Sequence, residues 1–253
     1  MLNYQTQLSH STRRARAKIG VLVPYTNTNI EPDMMELVPS DVSIHTTRIG
    51  GYPARSVPGL DEMTLMASTS LEDAAQLLMG TQPDIVLYGC TSATLSLGFT
   101  GDSEFAQHLS QITNCTTRTT SGSLVACLKR IHAQRISLIT PYDGPMTQSG
   151  ADFFASAGFE ITDQIYPKTA LTSLEQGEMT PVQIVEMVLE KNHKRTDALV
   201  LSCTDMRAVE CIEFLEKETG LPVISSNQAL FYEALRYLNL PVSSVPGRLA
   251  QSN

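Results

Sequence analysis

Two cysteines stand in near copies of one segment. Asp84-Ile-Val-Leu-Tyr-Gly-Cys90-Thr91-Ser92-Ala-Thr reappears as Asp197-Ala-Leu-Val-Leu-Ser-Cys203-Thr204-Asp205-Met-Arg. A second pair repeats at nearly the same offset. Lys18-Ile-Gly-Val-Leu-Val-Pro24-Tyr25-Thr-Asn27 returns as Arg135-Ile-Ser-Leu-Ile-Thr-Pro141-Tyr142-Asp-Gly. A strand ending in a polar loop, present in both halves, predicts two similar lobes that each offer one thiol to a shared cleft. Two thiols flanking one small acid suit covalent addition to an alkene, proton exchange at an α-carbon, or protonation of a carbanion. The polar residues after each cysteine precede or open a helix. Free N–H groups there favour thiolate over thiol, and the same groups can hold a carboxylate.

A lone free cysteine is usually a small core hydrophobe. Cys115, Cys127 and Cys211 fit that description, lying in or beside helices and strands. The repeat and the strand-end position set Cys90 and Cys203 apart. Tyr142 follows Pro141 at a strand end, where a site role competes with that of a core tyrosine. Asn27 either stabilises a turn or faces the cleft. Arg48 suits a carboxylate or an ordinary ion pair, and Gly50-Gly51 is too short a glycine run for a phosphate loop. The histidines read as structural.

These residues need elements to position them. Short apolar or β-branched runs predict strands at Lys18–Pro24, Val42–Ile49, Asp84–Gly89, Arg135–Thr140, Glu160–Tyr166, Ala198–Ser202 and Pro222–Ser225. Helical spacing predicts helices over 60–79, 102–112, 121–131, 144–157, 181–191, 206–218 and 227–238. The segment 168–179 has weak periodicity and reads as a loop near the cleft. Alternating strands and helices predict an α/β fold with parallel sheets covered on both faces. Ligands then sit beyond the carboxyl ends of the strands, where Asn27, Cys90, Tyr142 and Cys203 fall.

At 253 residues and 42% hydrophobic content, the chain can bury a core without staples. No apolar run approaches a membrane span. The net charge of −8 and scattered basic residues argue against a nucleic-acid partner. Five cysteines without a CxxC pair or a secretory leader point to reduced thiols in a cytoplasm, and their spacing matches no zinc motif. Residues 1–17 read as a loose polar tail.

The residues carry a resemblance. Val23-Pro24-Tyr-Thr-Asn27-Thr28, Tyr88-Gly-Cys90-Thr-Ser-Ala-Thr-Leu-Ser-Leu-Gly98, Thr120-Ser121-Gly-Ser, Thr140-Pro141-Tyr142 and Leu201-Ser202-Cys203 stand in that order. The chain resembles the maleate cis–trans isomerase family of the aspartate/glutamate racemase superfamily from Lys18 to about Pro246. The resemblance implies two Rossmann-like lobes with pseudo-twofold symmetry, the site between them, and no cofactor. It implies Cys90 as nucleophile, Cys203 as acid/base, and Asn27 and Tyr142 as carboxylate holders. Pro24, Thr91, Ser92, Ser121 and Thr204 complete the expected substrate-binding set, with no metal. The expected division is 18–118 plus 227–253 for one lobe and 119–226 for the other. A homo-oligomer is the expected assembly, with a small carboxylic acid as its ligand.

One departure concerns substrate. Such isomerases usually carry a substrate-binding asparagine after the fifth main strand. Here the stretch reads Tyr166-Pro-Lys-Thr169-Ala-Leu-Thr172-Ser173. Either Thr169, Thr172 or Ser173 holds the far end of the substrate or that end is not a carboxylate, and maleate itself is expected to be a poor substrate. The leading expectation is cis–trans isomerisation of a maleate-like acid through a covalent Cys90 adduct. The alternatives are a two-cysteine racemase of an amino acid or related acid, an arylmalonate-decarboxylase-like lyase, and a small-acid binding protein without turnover. Both cysteines being present weighs against the lyase, whose resemblance implies only the second.

Overall fold

The computed structural model describes residues 14–252. Most of the expected tail lies outside the described residues. Its last part is tied down: the Arg16 amide donates to the Asp41 carbonyl at 2.8 Å, and its guanidinium pairs with the Asp41 carboxylate at 3.0 Å.

The first half runs β1 (Ala17–Pro24), α1 (Ile30–Leu37), β2 (Val42–Ile49), α2 (Leu60–Met66), α3 (Leu71–Met79), β3 (Ile85–Tyr88), α4 (Thr91–Ser96), α5 (Gly98–Thr113), β4 (Thr117–Thr119) and α6 (Thr120–Arg130). The second runs β5 (Arg135–Ile139), α7 (Gly144–Ser156), β6 (Glu160–Ile165), α8 (Ser173–Glu178), α9 (Pro181–Leu189), β7 (Ala198–Leu201), α10 (Ile212–Thr219), β8 (Val223–Ser225) and α11 (Ser226–Tyr237). Two four-stranded sheets result, ordered β2-β1-β3-β4 and β6-β5-β7-β8, with every paired strand parallel. The second order is the first repeated, so the fold is the expected pair of α/β lobes. β3 and β7 are buried along their whole length, as central parallel strands covered by helices must be.

The repeat extends to single hydrogen bonds. Asp84 accepts the Lys18 amide at 2.8 Å, and Asp197 accepts the Arg135 amide at 2.9 Å. Each carboxylate thus pins the start of its lobe's first strand and fixes register at the end far from the cysteines. β4 and β8 each run straight into a helix, capped by Thr119 and Ser225 through the amides of Gly122 and Gln228. The two helices so begun, α6 and α11, pack against one another at the centre. One hydrophobic core joins both sheets, and a smaller one fills the outer face of the first sheet.

Several elements differ from expectation: α1 stands where no helix was expected, and the helix read over 206–218 begins only at Ile212. The helix read over 60–79 is two: the apolar spacing runs on across the polar Ser68-Thr69-Ser70, but Ser70 takes a left-handed φ of 57°. The segment read as a loop over 168–179 contains α8, nucleated by a capping box: the Thr172 hydroxyl accepts the Glu175 amide, and the Glu175 carboxylate accepts the Thr172 amide at 2.8 Å. The strand β4 is Thr-Arg-Thr, three residues with no apolar run for a pattern to reveal. Among the described residues no helix is long and apolar enough to cross a membrane.

Candidate active site

Cys90 and Cys203 occupy equivalent positions, just beyond the ends of the central strands β3 and β7. Gly89 lets the chain turn there: a Cβ on it would lie 3.1 Å from the Leu22 carbonyl and 2.7 Å from Ile30 Cδ1. Cys90 is the N-cap of α4, with the Ser92 hydroxyl 3.7 Å from its sulfur. The Cys203 sulfur accepts the Asp205 amide at 3.3 Å. Both thiols are enclosed, 5% and 6% exposed.

The residue after each cysteine is braced by the opening of a central helix. Ser121 of α6 donates its hydroxyl to the Thr91 carbonyl at 3.3 Å. Asn227 of α11 donates to the Thr204 carbonyl at 2.9 Å. The side chains of Thr91 and Thr204 point away from the sulfurs. Thr91 donates to Ser226 at 3.0 Å, and Thr204 crosses to the Gly89 carbonyl at 3.0 Å. Ser121 also meets the Thr94 hydroxyl at 2.5 Å. Thr91, Ser121 and Thr204 therefore shape the site's backbone, while Ser92 stands beside a sulfur and donates to Met63 Sδ at 2.8 Å.

Asn27 links the lobes. Its Oδ1 accepts the amides of Asn29 and Ile30 at 3.0 and 2.9 Å, and its Nδ2 donates to the Thr204 hydroxyl at 3.1 Å. The Pro24 carbonyl closes this turn by accepting the Asn27 amide at 3.0 Å. Arg48 braces the turn from behind, donating to the carbonyls of Pro24 and Asn27 at 3.2 and 2.8 Å and pairing with Glu31. It is thus engaged in structure.

Tyr142 joins the two thiols. Its hydroxyl is buried and makes no hydrogen bond of normal geometry. It nevertheless lies close enough to Cys203, Cys90 and Ser92 for all three to influence its ionisation. A buried hydroxyl without a partner is costly in a folded protein and marks a place where a ligand's polar atom fits. Burial, then the neighbouring Cys203, hold the phenol well above its ordinary pKa, so it stays a donor.

The electrostatics distinguish the sulfurs. Burial raises the Cys90 pKa, while the Ala93 amide and the Ser92 hydroxyl pull towards the thiolate. Cys203 is pushed up to about 12 by burial and then by the Asp205 charge, against the Tyr142 hydroxyl and the amides of Asp205 and Met206. Asp205 is itself raised to about 6 by burial, opposed by the Thr28 and Asn29 donors.

Sequence reasoning missed three participants. Asp205 binds the Thr28 amide at 2.8 Å, tying the Cys203 loop to the other lobe; the only signal was a carboxylate directly after Cys203-Thr204. Tyr52, in the loop after β2, meets the Ser173 hydroxyl at 3.0 Å and feels the Cys90 charge. Nothing in its local sequence marked it. Asp33 accepts from Asn227 at 2.7 Å behind the Thr204 loop, and burial raises its pKa to about 7. Of the loop residues considered in place of the missing asparagine, Thr169 is exposed and Thr172 caps α8. Ser173 is buried and faces Tyr52. The Ser173 amide also donates to the Ser56 carbonyl at 3.3 Å, so α8 and the loop after β2 are joined at two points. An open groove of about 490 Å³, lined by Asp102, Arg118 and Glu233 among others, shares none of these residues.

Comparison with known proteins places this geometry among relatives. The family model described as arylmalonate decarboxylase matches residues 19–250. A maleate isomerase of Nocardia farcinica is 30% identical over 241 residues, covering 91% of this chain and 93% of the relative. The arylmalonate decarboxylase of Bordetella bronchiseptica is 21% identical, with 89% of each chain covered. A solved structure of the Nocardia farcinica maleate cis–trans isomerase is a cysteine-to-serine mutant with a covalently bound succinylcysteine intermediate. It superposes with a TM-score of 0.85 at 26% identity, covering 94% of this chain and 99% of that one.

Proposed function

The chain belongs to the arylmalonate decarboxylase family, and from that premise we propose that it is a cis–trans isomerase of a small maleate-class acid. The observation that carries this reading is the pair of thiols at equivalent strand ends, joined by the unpartnered hydroxyl of Tyr142. The likeness to maleate isomerases over nine-tenths of the chain supports it.

In this reading Cys90 is the nucleophile. Its sulfur sits at the start of α4, where the Ala93 amide and Ser92 hydroxyl favour the anion. The thiolate adds to one alkene carbon, forming a C–S bond. The π pair moves to the other carbon, which takes the proton from Cys203. The carbon–carbon bond is now single and rotates. The Cys203 thiolate then removes the proton, the double bond re-forms in the trans geometry, and the Cys90 thiolate leaves. Protons and electrons balance between two sulfurs and one substrate, and a prohibitive rotation becomes two accessible steps. Tyr142 and the amides after each cysteine hold one carboxylate as charge develops next to it. The Tyr52–Ser173 pair reads the substrate's far end, in place of an asparagine.

Proton NMR in D₂O with maleate, a methyl-substituted maleate, an arylmalonate and aspartate tests the reading. The expected result is conversion of a cis-enedioate to its trans isomer, lost in Cys90→Ala. Carbon dioxide release from the malonate alone, or α-deuteration of the amino acid alone, would replace it with the lyase or racemase reading.

A further inference from the structure

From the cysteine onward the two thiol loops match for two residues and then diverge. Gly89-Cys90-Thr91-Ser92 superimposes in role on Ser202-Cys203-Thr204-Asp205. Both central helices brace the residue after the cysteine in the same way, Ser121 on one side and Asn227 on the other. Two places after the sulfur, one lobe carries a neutral hydroxyl and the other a carboxylate.

That carboxylate is built into the site. Asp205 is 8% exposed. Its Oδ1 accepts the Thr28 amide at 2.8 Å, the Asn29 amide at 3.1 Å and Asn29 Nδ2 at 3.1 Å. Asn29 Nδ2 also reaches the Asp205 carbonyl at 2.6 Å and the Gly177 carbonyl at 2.9 Å. Gly177 of α8 packs so closely that a Cβ on it would lie 2.8 Å from Asp205 Oδ2. The carboxylate is therefore held by both lobes and by the helix α8. Arg48 is the cation that acts on it, and that side chain is already committed to Glu31. The other ionisable groups that feel the Asp205 charge are the two sulfurs. The segments at Thr28, Asn29 and Gly177 offer it only neutral polar groups.

We propose that Asp205 is the positioning residue that makes two otherwise equivalent thiols unequal: it clasps the Cys203 loop in place and sets the protonation state of Cys203 as the proton donor. A fixed negative charge next to a sulfur disfavours a second one there. The Asp205 charge also opposes the Cys90 thiolate, but there it ranks behind burial, the Ala93 amide and the Ser92 hydroxyl, whereas for Cys203 it comes second only to burial; that difference leaves the thiolate role to Cys90. The proposal rests on the two sulfurs being the reacting pair and assigns them their order.

The test is labelling of each cysteine by neutral iodoacetamide, read by peptide mass spectrometry from about pH 7 to about pH 12, a range that reaches from the ordinary thiol pKa to the raised one of Cys203. No acid substrate is present, so the outcome is independent of turnover. Asp205→Asn keeps an acceptor for Thr28 and Asn29 and removes the charge. The midpoint of Cys203 labelling should fall by about one pH unit or more, giving roughly tenfold faster labelling at pH 8. Asp205→Glu, which restores charge, should keep the wild-type profile. Ser92→Asp is the converse variant, and should raise the Cys90 midpoint by a similar amount. A change of access alone would alter rates without moving a midpoint. Unmoved midpoints in folded Asp205→Asn, or in Ser92→Asp should the first variant not fold, would overturn the proposal. Midpoints that shift as expected in a protein that isomerises no cis-enedioate would instead count against the proposed function.

Discussion

At the scale of single residues, the site combines groups that are individually unfavourable. The Tyr142 hydroxyl is buried without a hydrogen bond, and the Cys203 thiol is buried beside a carboxylate. A purely structural tyrosine would be expected to find a partner. Tyr142→Phe removes an unsatisfied polar atom, so stability should stay level or rise by about 1 kcal/mol. Turnover should nevertheless fall on the order of a hundredfold, because a donor aimed at developing charge is gone. Melting temperature and kcat/KM measured together check this; equal loss of both would make the residue structural. Cys203→Ser should lower kcat by about 10²–10⁴ while leaving KM nearly unchanged, as expected for a lost acid/base group. The cysteines and Tyr142 were legible in sequence because each sits at a strand end repeated in both halves. Asp205 was not, since its meaning depends on Thr28 and Asn29 arriving from the other lobe.

At the scale of elements, the helix α8 carries the information the sequence pattern hid. It is short, and its capping box of Thr172 and Glu175 was visible only as scattered polar residues. Its task is to bring Ser173 to Tyr52 and Gly177 to Asp205. Gly177→Ala should therefore act as a wedge against the Asp205 carboxylate. We expect a loss of roughly 1–3 kcal/mol of stability, as for other overpacked sites, and a lower kcat/KM from a displaced Cys203 loop. Thermal unfolding and steady-state kinetics check it; a variant with wild-type values would show that α8 does not bear on Asp205. The strands other than β4, by contrast, were legible almost to the residue. Buried parallel strands read as continuous apolar runs, and the preceding Asp84 and Asp197 mark where they begin. The break between α2 and α3 escaped because the apolar spacing continues across it while Ser70 adopts a left-handed backbone.

At the scale of the whole molecule, the repeat places two lobes about the packed helices α6 and α11, and joining them has an electrostatic consequence. Asp33, Asp102 and Asp205 are buried, which raises their pKa values to about 7, 6 and 6. The folded chain keeps these protons where the unfolded chain loses them near pH 4. It binds more protons across about pH 4–7, so stability falls as pH rises through that window and levels above it. Asp197 works in the opposite sense. Bonding to Arg135 holds it at about 2, and its contribution is lost only as pH falls below the ordinary carboxylate range. The melting temperature should peak in weak acid and decline towards neutrality, with Asp33→Asn flattening the slope; a melting temperature that climbs from about pH 5 to 8 would contradict this. In the proposed function the assembly holds one substrate between one sulfur from each lobe. Its most direct test is peptide mass spectrometry of the Cys203→Ser variant after incubation with maleate. The account expects an adduct of one substrate mass on the Cys90 peptide and on no other cysteine. Turnover of maleate with Cys90 unmodified, or an adduct that persists in Cys90→Ala, would contradict it.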